Sequence, residues 1–252
     1  RYLALSYVWG DGRFYKTCGA DVPALRKHGS LAPSAKLFNV PRTVRDAMAL
    51  AKQLGEKYLW VDALCIIQDD DTHRTQQLRL MDRIYRHSVM TVIALSGGDA
   101  WSGLPGVGSG LRRRIMPVES IEGEAYSLTI EPPHLRHVVD LSAWSIRAWT
   151  FQEQLLSRRC LYLSDWQAYF QCQGTTYSID RLNPLTEMAC WDDGYTSYQK
   201  LVGYYLRRSM TRESDILNAF EGVSAFMQAQ LGGSFFAGVP EALIDFCLLW
   251  AP

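Results

Sequence analysis

The chain has 252 residues, of which 48% are apolar and 21% charged. That apolar share supports a packed core and excludes disorder as the general state. Lys+Arg number 26 and Asp+Glu 26, so the positive field of a generic nucleic-acid or membrane-surface binder is absent and no nucleic-acid partner is expected.

Apolar runs are short, such as 89–95 interrupted by Thr91. A membrane-crossing helix needs about 20 apolar residues, so no membrane span is expected. No signal peptide is read at the start, and the chain reads as a domain cut from a longer protein. The six cysteines (Cys18, Cys65, Cys160, Cys172, Cys190 and Cys247) form no C-x-x-C pair and have no clustered histidines. No metal site is expected, and free thiols in a reducing, cytoplasmic setting fit this pattern better than a disulfide framework.

Residues 2–8 (YLALSYV) read as a buried strand ending at Gly10-Asp11-Gly12. Residues 13–40 carry few periodic signals and read as a long irregular stretch. A helix follows Pro41, with Thr43 expected as its N-cap, Asp46 at the capping-box position, apolar residues at helical spacing and Gly55 as its stop. Residues 58–61 read as a second buried strand with Asp62 near its end. Asp69, Asp70, Asp71 and Thr72 form a polar turn, and Leu78, Met81, Ile84 and Tyr85 mark a second helix. Residues 89–95 (VMTVIAL) form a third strand, ended by Ser96-Gly97-Gly98.

This order of strands, apolar throughout and alternating with amphipathic helices, predicts an α/β fold with a parallel sheet covered on both faces. Residues 99–140 break the pattern as an insertion, with a solvated Arg112-Arg113-Arg114 patch and a short strand near 125–130. A third helix is expected from about Ser145 to Leu156, then a hairpin or bend over 160–163 and 166–172. Residues 173–195 read as a loop and the remainder as helical, with Pro240 opening a last helix. The expected division is a core over 1–165 and a strand plus helical extension over 166–252 packed on it.

Ligands of open parallel sheets sit beyond the C-terminal strand ends. The candidates there are Ser6, Tyr7, Trp9 and Gly10 after the first strand, Asp62, Cys65, Gln68 and Asp69 after the second, and Ser96, Gly97 and Gly98 after the third. Each also has a purely structural reading as a cap or turn residue. Cys65 reads as an unreactive core thiol, since neither His73 nor His87 is placed as its base. No dinucleotide fingerprint or phosphate-binding loop motif is present.

On the third helix, about 100° per residue puts Ala148, Trp149, Phe151, Leu155 and Leu156 on one apolar arc. Gln152 falls inside it and Glu153 at its edge beside Trp149. A carboxylate there is desolvated, which raises its pKa. From position alone, the favoured reading of Glu153 is a rim carboxylate paired with Arg147 or Arg158.

Several motifs change that balance. LSYVWG (5–10), YLWVDA (58–63) with LCIIQDD (64–70), and RAWTFQEQLLSRR (147–159) occur in order. PRTVRDA (41–47), MDRIY (81–85), SDILNAF (214–220) and LLW (248–250) accompany them. Together they resemble the fungal heterokaryon-incompatibility (HET) domain across nearly the whole chain.

The resemblance implies a cell-death effector of fungal allorecognition and a flavodoxin-like sheet of the kind found in TIR domains, regarded as distant relatives. Many TIR domains cleave the nicotinamide–ribose bond of NAD with a glutamate in a W-x-x-x-E arrangement, the spacing of Trp149 and Glu153 here. It thus implies Glu153 as the catalytic residue. Ser6, Tyr7, Trp9, Gly10, Asp62, Gln68, Asp69 and Trp149 are implied as substrate-binding. NAD or a related nucleotide is then a substrate, with no further cofactor. A homo-oligomer on activation and an upstream allorecognition partner or domain are also implied. A non-enzymatic self-association domain and a different nucleotide-processing or small-molecule-binding domain stay open beside this reading. The insertion and the C-terminal extension depart from the TIR pattern.

Overall fold

A computed structural model describes residues 1–32, 38–108, 119–120, 127–128, 132–172, 175–178, 181–186, 194–210 and 213–247. The Arg112-Arg113-Arg114 patch and Cys190 lie outside the described residues.

Four strands run parallel: β1 (Leu3–Ser6), β2 (Leu59–Trp60), β3 (Met90–Ala94) and β4 (Arg159–Leu163). Three antiparallel strands extend the sheet: β5 (Ala168–Cys172), β6 (Thr175–Ser178) and β7 (Arg181–Thr186). The order is β2-β1-β3-β4-β5-β6-β7. Because β2 and β3 flank β1 on opposite sides, winding reverses at β1, and the β1/β3 boundary is a topological switch point. The architecture is a mostly parallel sheet flanked by helices, with an insertion and helical additions.

Helices cover both faces, and strand alternation assigns the side chains. Leu3, Leu5, Val92, Ala94 and Leu163 pack with Val44, Ala47, Leu50 and Ala51 of α1 (Arg42–Gln53). Ala4 faces the other way, onto Met81 and Tyr85 of α3 (Met81–His87). Ile93, Cys160 and Tyr162 share that second face with Trp144 and with Leu135 and Val139 of α4 (Leu135–Asp140). Each fully buried Val, Leu or Ile contributes about 1.5–3 kcal/mol, so this two-sided burial fixes the strand register.

Beyond β7 come α6 (Gly194–Leu206) and α7 (Asn218–Leu231). Phe151 of α5 (Trp149–Leu155) packs with Tyr205 and Phe220 of this extension. The helix α5 therefore has the sheet and α3 on one side and α6–α7 on the other.

Several expectations are corrected. The second helix is two, α2 (Asp71–Arg79) and α3, separated at Leu80. Thr43 is not the N-cap of α1, which starts at Arg42 after Pro41. Instead the Thr43 hydroxyl accepts from the Gly103 N–H at 3.0 Å and the Asp46 carboxylate from the Leu104 N–H at 2.9 Å, so both tie down the insertion's first turn.

Residues 175–178 and 181–186 are strands rather than loop. Pro184 sits in the outermost strand, where a missing N–H costs least. The third helix begins at Trp149, and the residues before it form turns. Pro240 ends a short antiparallel pair, Phe235–Phe236 with Val239–Pro240, and also opens the last helical segment as expected, a 3-10 turn (Glu241–Leu243) running into a short helix (Ile244–Cys247). No helix among the described residues is long and apolar enough to cross a membrane.

Candidate functional site

Ser6 ends β1 two residues after Ala4, so its side chain shares the α3/α5 face. Only 1% of it is exposed. Glu153 lies above it on α5 and is 6% exposed. Phe151 and Glu153 are about 200° apart around the helix, so Phe151 meets the extension while Glu153 points back to the sheet. The Ser6 hydroxyl donates to Glu153 Oε2. Trp144 Nε1 donates to the same Ser6 oxygen at 2.7 Å. Glu153 is thus inside the protein at the C-terminal end of β1. The rim reading is overturned, and among the described residues neither Arg147 nor Arg158 forms an ion pair with it within 4.0 Å.

Burial pushes the Glu153 carboxyl up to about 7 from its ordinary 4.5. The Ser6 hydroxyl, the Arg147 charge and the nearby Tyr85 hydroxyl pull it down, while Asp62 adds to the rise. Tyr85 is itself buried and donates to Leu5 O at 3.2 Å. This is the pattern of a carboxylate desolvated inside the protein and steadied by a few donors.

Asp62 follows β2 and is partly buried. Its carboxylate accepts from Trp9 Nε1 at 2.9 Å and from the Ala63 N–H at 2.7 Å. Burial raises its pKa, opposed by the Ala63 N–H, then Arg147, then Trp9. Tyr7 is buried, and its hydroxyl makes no hydrogen bond of ordinary geometry. Burial, followed by the Asp62 charge, raises its pKa. Arg147 Nη1 donates to Tyr7 O at 2.6 Å. That bond holds the guanidinium where its charge acts on Glu153, Asp62 and Tyr7 together.

Ser6, Tyr7, Trp9, Asp62, Arg147 and Glu153 therefore form one cluster. Trp9, Asp62 and Arg147 are its partly exposed members. Gly10 borders it, with φ +67° and the backbone of Asp99 so close that a Cβ would lie 2.5 Å from Asp99 Cβ. Trp149 packs against the group formed by Ala4, Met81 and Tyr85.

Gln68 and Asp69 are occupied differently. Gln68 Nε2 donates to Ile66 O at 3.1 Å, and the Asp69 carboxylate accepts from the Gly19 N–H at 2.8 Å, anchoring the loop before α1. Cys65 is exposed rather than core, its sulfur accepting from the Val61 N–H. His73 Nδ1 accepts from the Ile67 N–H and so is no base for that thiol.

Three contributors escape a sequence reading. Trp144 sits in turns with no periodicity. Tyr85 shows only as one member of an apolar stripe. Arg208 comes from the extension, where Nη1 donates to Arg147 O at 3.2 Å and to Thr150 Oγ1 at 2.9 Å, with the guanidinium 4.8 Å from the Phe151 ring. Ala148 N–H donates to Ser209 O and Ser209 N–H to Ile146 O, so a strap from the extension clamps the start of α5.

Fold and cluster define a layered α/β domain with a desolvated carboxylate at the switch point of a parallel sheet. The family model described as heterokaryon incompatibility protein (HET) matches residues 2–153 and ends on this same glutamate. The chain belongs to that family. Heterokaryon incompatibility protein 6, OR allele, of Neurospora crassa is 36% identical over 96 residues, covering 37% of this chain and 14% of the Neurospora protein. The chain thus spans a small part of the length of that relative. No solved structure matches it.

Proposed function

We propose that the domain is a cell-death effector of fungal allorecognition that cleaves NAD, with Glu153 as its catalytic group. The observation that carries this reading is the Glu153 carboxylate, buried at the C-terminal end of β1 against Ser6, where burial pushes its pKa up to about 7. The family's name supports the biological setting, and the parallel strand order 2-1-3-4 supports a TIR-like arrangement.

The chemistry needs little machinery. The bond between ribose C1′ and the pyridinium nitrogen breaks, and its electron pair goes to that nitrogen. Nicotinamide leaves neutral, so the general acid that an ordinary glycoside requires is dispensable. Positive charge develops on the ribose, and an ionised Glu153 in a low-dielectric site stabilises it. Water adds at C1′ and loses a proton, for which Glu153 is a matched acceptor. The products are nicotinamide and ADP-ribose, or a cyclic form if an internal nucleophile replaces water. Trp9, Asp62 and Arg147 would border the substrate's path, and Trp149 would help exclude water.

A second reading, self-association without chemistry, is favoured by exposed Ile146 and Leu206 at the strap and exposed Leu141 just before it. Expression in fungal cells separates the two. The enzymatic reading predicts growth arrest together with a fall in cellular NAD, both lost in Glu153→Ala. Killing that persists in Glu153→Ala with NAD unchanged favours association.

A further inference from the structure

Trp144 has no part in the reaction above, yet it is wholly buried against the site. An indole N–H donates and cannot accept, whereas a serine hydroxyl has one proton and two acceptor positions. With Trp144 Nε1 2.7 Å from Ser6 Oγ, one acceptor position of that oxygen is filled. The proton of the hydroxyl is turned away from the indole, toward Glu153 Oε2.

The two ends of this chain belong to one rigid unit. Trp144 O accepts from the Thr150 hydroxyl at 2.8 Å and from the Arg147 N–H at 3.3 Å. The turn carrying the indole is therefore fastened to the first turn of the helix carrying Glu153, and the pair grips Ser6 from two sides. Packing alone does not require the indole nitrogen to face the one polar side chain of β1.

We infer that Trp144 is a positioning residue that orients the Ser6 hydroxyl onto the Glu153 carboxylate and so holds that carboxylate in place. Its catalytic meaning rests on the function proposed above; the coupling itself is a property of the free protein. The titratable and charged groups bearing on Glu153 are Asp62 after β2, Tyr7 after β1, Tyr85 on α3, Arg147 before α5 and Arg208 on the strap. None of them lies between Trp144 and Ser6.

The test follows the indole N–H resonance of Trp144 and the side-chain carboxyl carbon of Glu153 by NMR during a pH titration without substrate. In the wild-type protein the indole signal should move with the Glu153 midpoint. It should stay flat in Glu153→Gln and in Ser6→Ala. Trp144→Phe and Ser6→Ala should each raise the Glu153 midpoint by roughly one unit, and the double variant should add little to Ser6→Ala. A wild-type indole signal that ignores the Glu153 titration overturns the inference, even if Trp144→Phe fails to fold. So does a Glu153 midpoint that moves in Ser6→Ala but not in a folded Trp144→Phe. If the coupling is found while NAD stays intact, the proposed function fails and the positioning does not.

Discussion

Ser6 and Glu153 stand 147 positions apart and share a buried hydrogen bond. The first ends β1 and the second lies on the helix leading into β4, so the bond closes the parallel part of the fold around its switch point. The predictions below follow from that placement.

Stability should depend on the protonation of Glu153. Its folded pKa, about 7, lies above the ordinary 4.5, so the folded state binds the proton more tightly. The neutral form's advantage is complete below about pH 4.5 and is lost as pH rises to about 7. The loss is on the order of 3 kcal/mol. The difference between wild-type and Glu153→Gln denaturation curves, taken from pH 4 to 8, should show Gln increasingly favoured over that window and constant above it. A flat difference contradicts the desolvated carboxyl.

Activity should run the other way. Charge stabilisation on ribose needs the carboxylate, so NAD cleavage should fall about tenfold per pH unit well below 7 and level off above it. A rate that rises on acidification would point to the protonated group as the working form.

Gly222 of α7 is where three helices meet. A Cβ there would lie 2.7 Å from both Asp82 Cβ and Gln152 Oε1, and 3.0 Å from Leu156 Cδ1. Gly222→Ala gains up to about 1 kcal/mol of helix propensity but forces these groups apart, at about 1–3 kcal/mol. The expected outcome is a net loss of up to roughly 2 kcal/mol in urea unfolding. A stabilised variant would mean that α7 is free to move off α5.

Arg208→Met removes two hydrogen bonds to the start of α5 and the cation over Phe151. The expected cost is about 1–3 kcal/mol, with a lowered NAD-cleavage rate, since the strap sets the direction of Arg147 and Glu153. Lysine should not restore it fully, because it lacks the delocalised guanidinium that lies over the Phe151 ring while Nη1 reaches both acceptors. Unchanged stability in either variant would show the strap to be incidental.

The parallel half of the fold was legible because β1, β3 and β4 are apolar on both faces, and period-2 alternation puts Ser6 on the side of α5. Gln152 and Glu153 were legible as polar residues inside an apolar arc. How deep Glu153 lies was not, since its depth depends on Ser6 and Trp144 closing around it on the sheet side, contacts that helical spacing does not show. The strands β6 and β7 were missed because TTYS and RLNPLT carry turn-forming and polar residues at the sheet's margin, where pairing with a neighbour rather than burial decides. Thr43 and Asp46 looked like a capping box because their spacing is right. Their acceptors are instead taken by the backbone of Gly103 and Leu104, a tertiary contact that local pattern cannot show. Trp144 and Arg208 act from irregular segments, where no periodicity marks a residue's direction.

The most direct test of the central claim is nicotinamide release from NAD by the purified domain, held in an artificially clustered form at pH 8, for wild type and Glu153→Gln side by side. The account predicts measurable turnover by the wild-type protein and a drop of roughly 10²–10³-fold in the variant, with its fold intact. Equal turnover by the two proteins, or none by the clustered wild type, would contradict it.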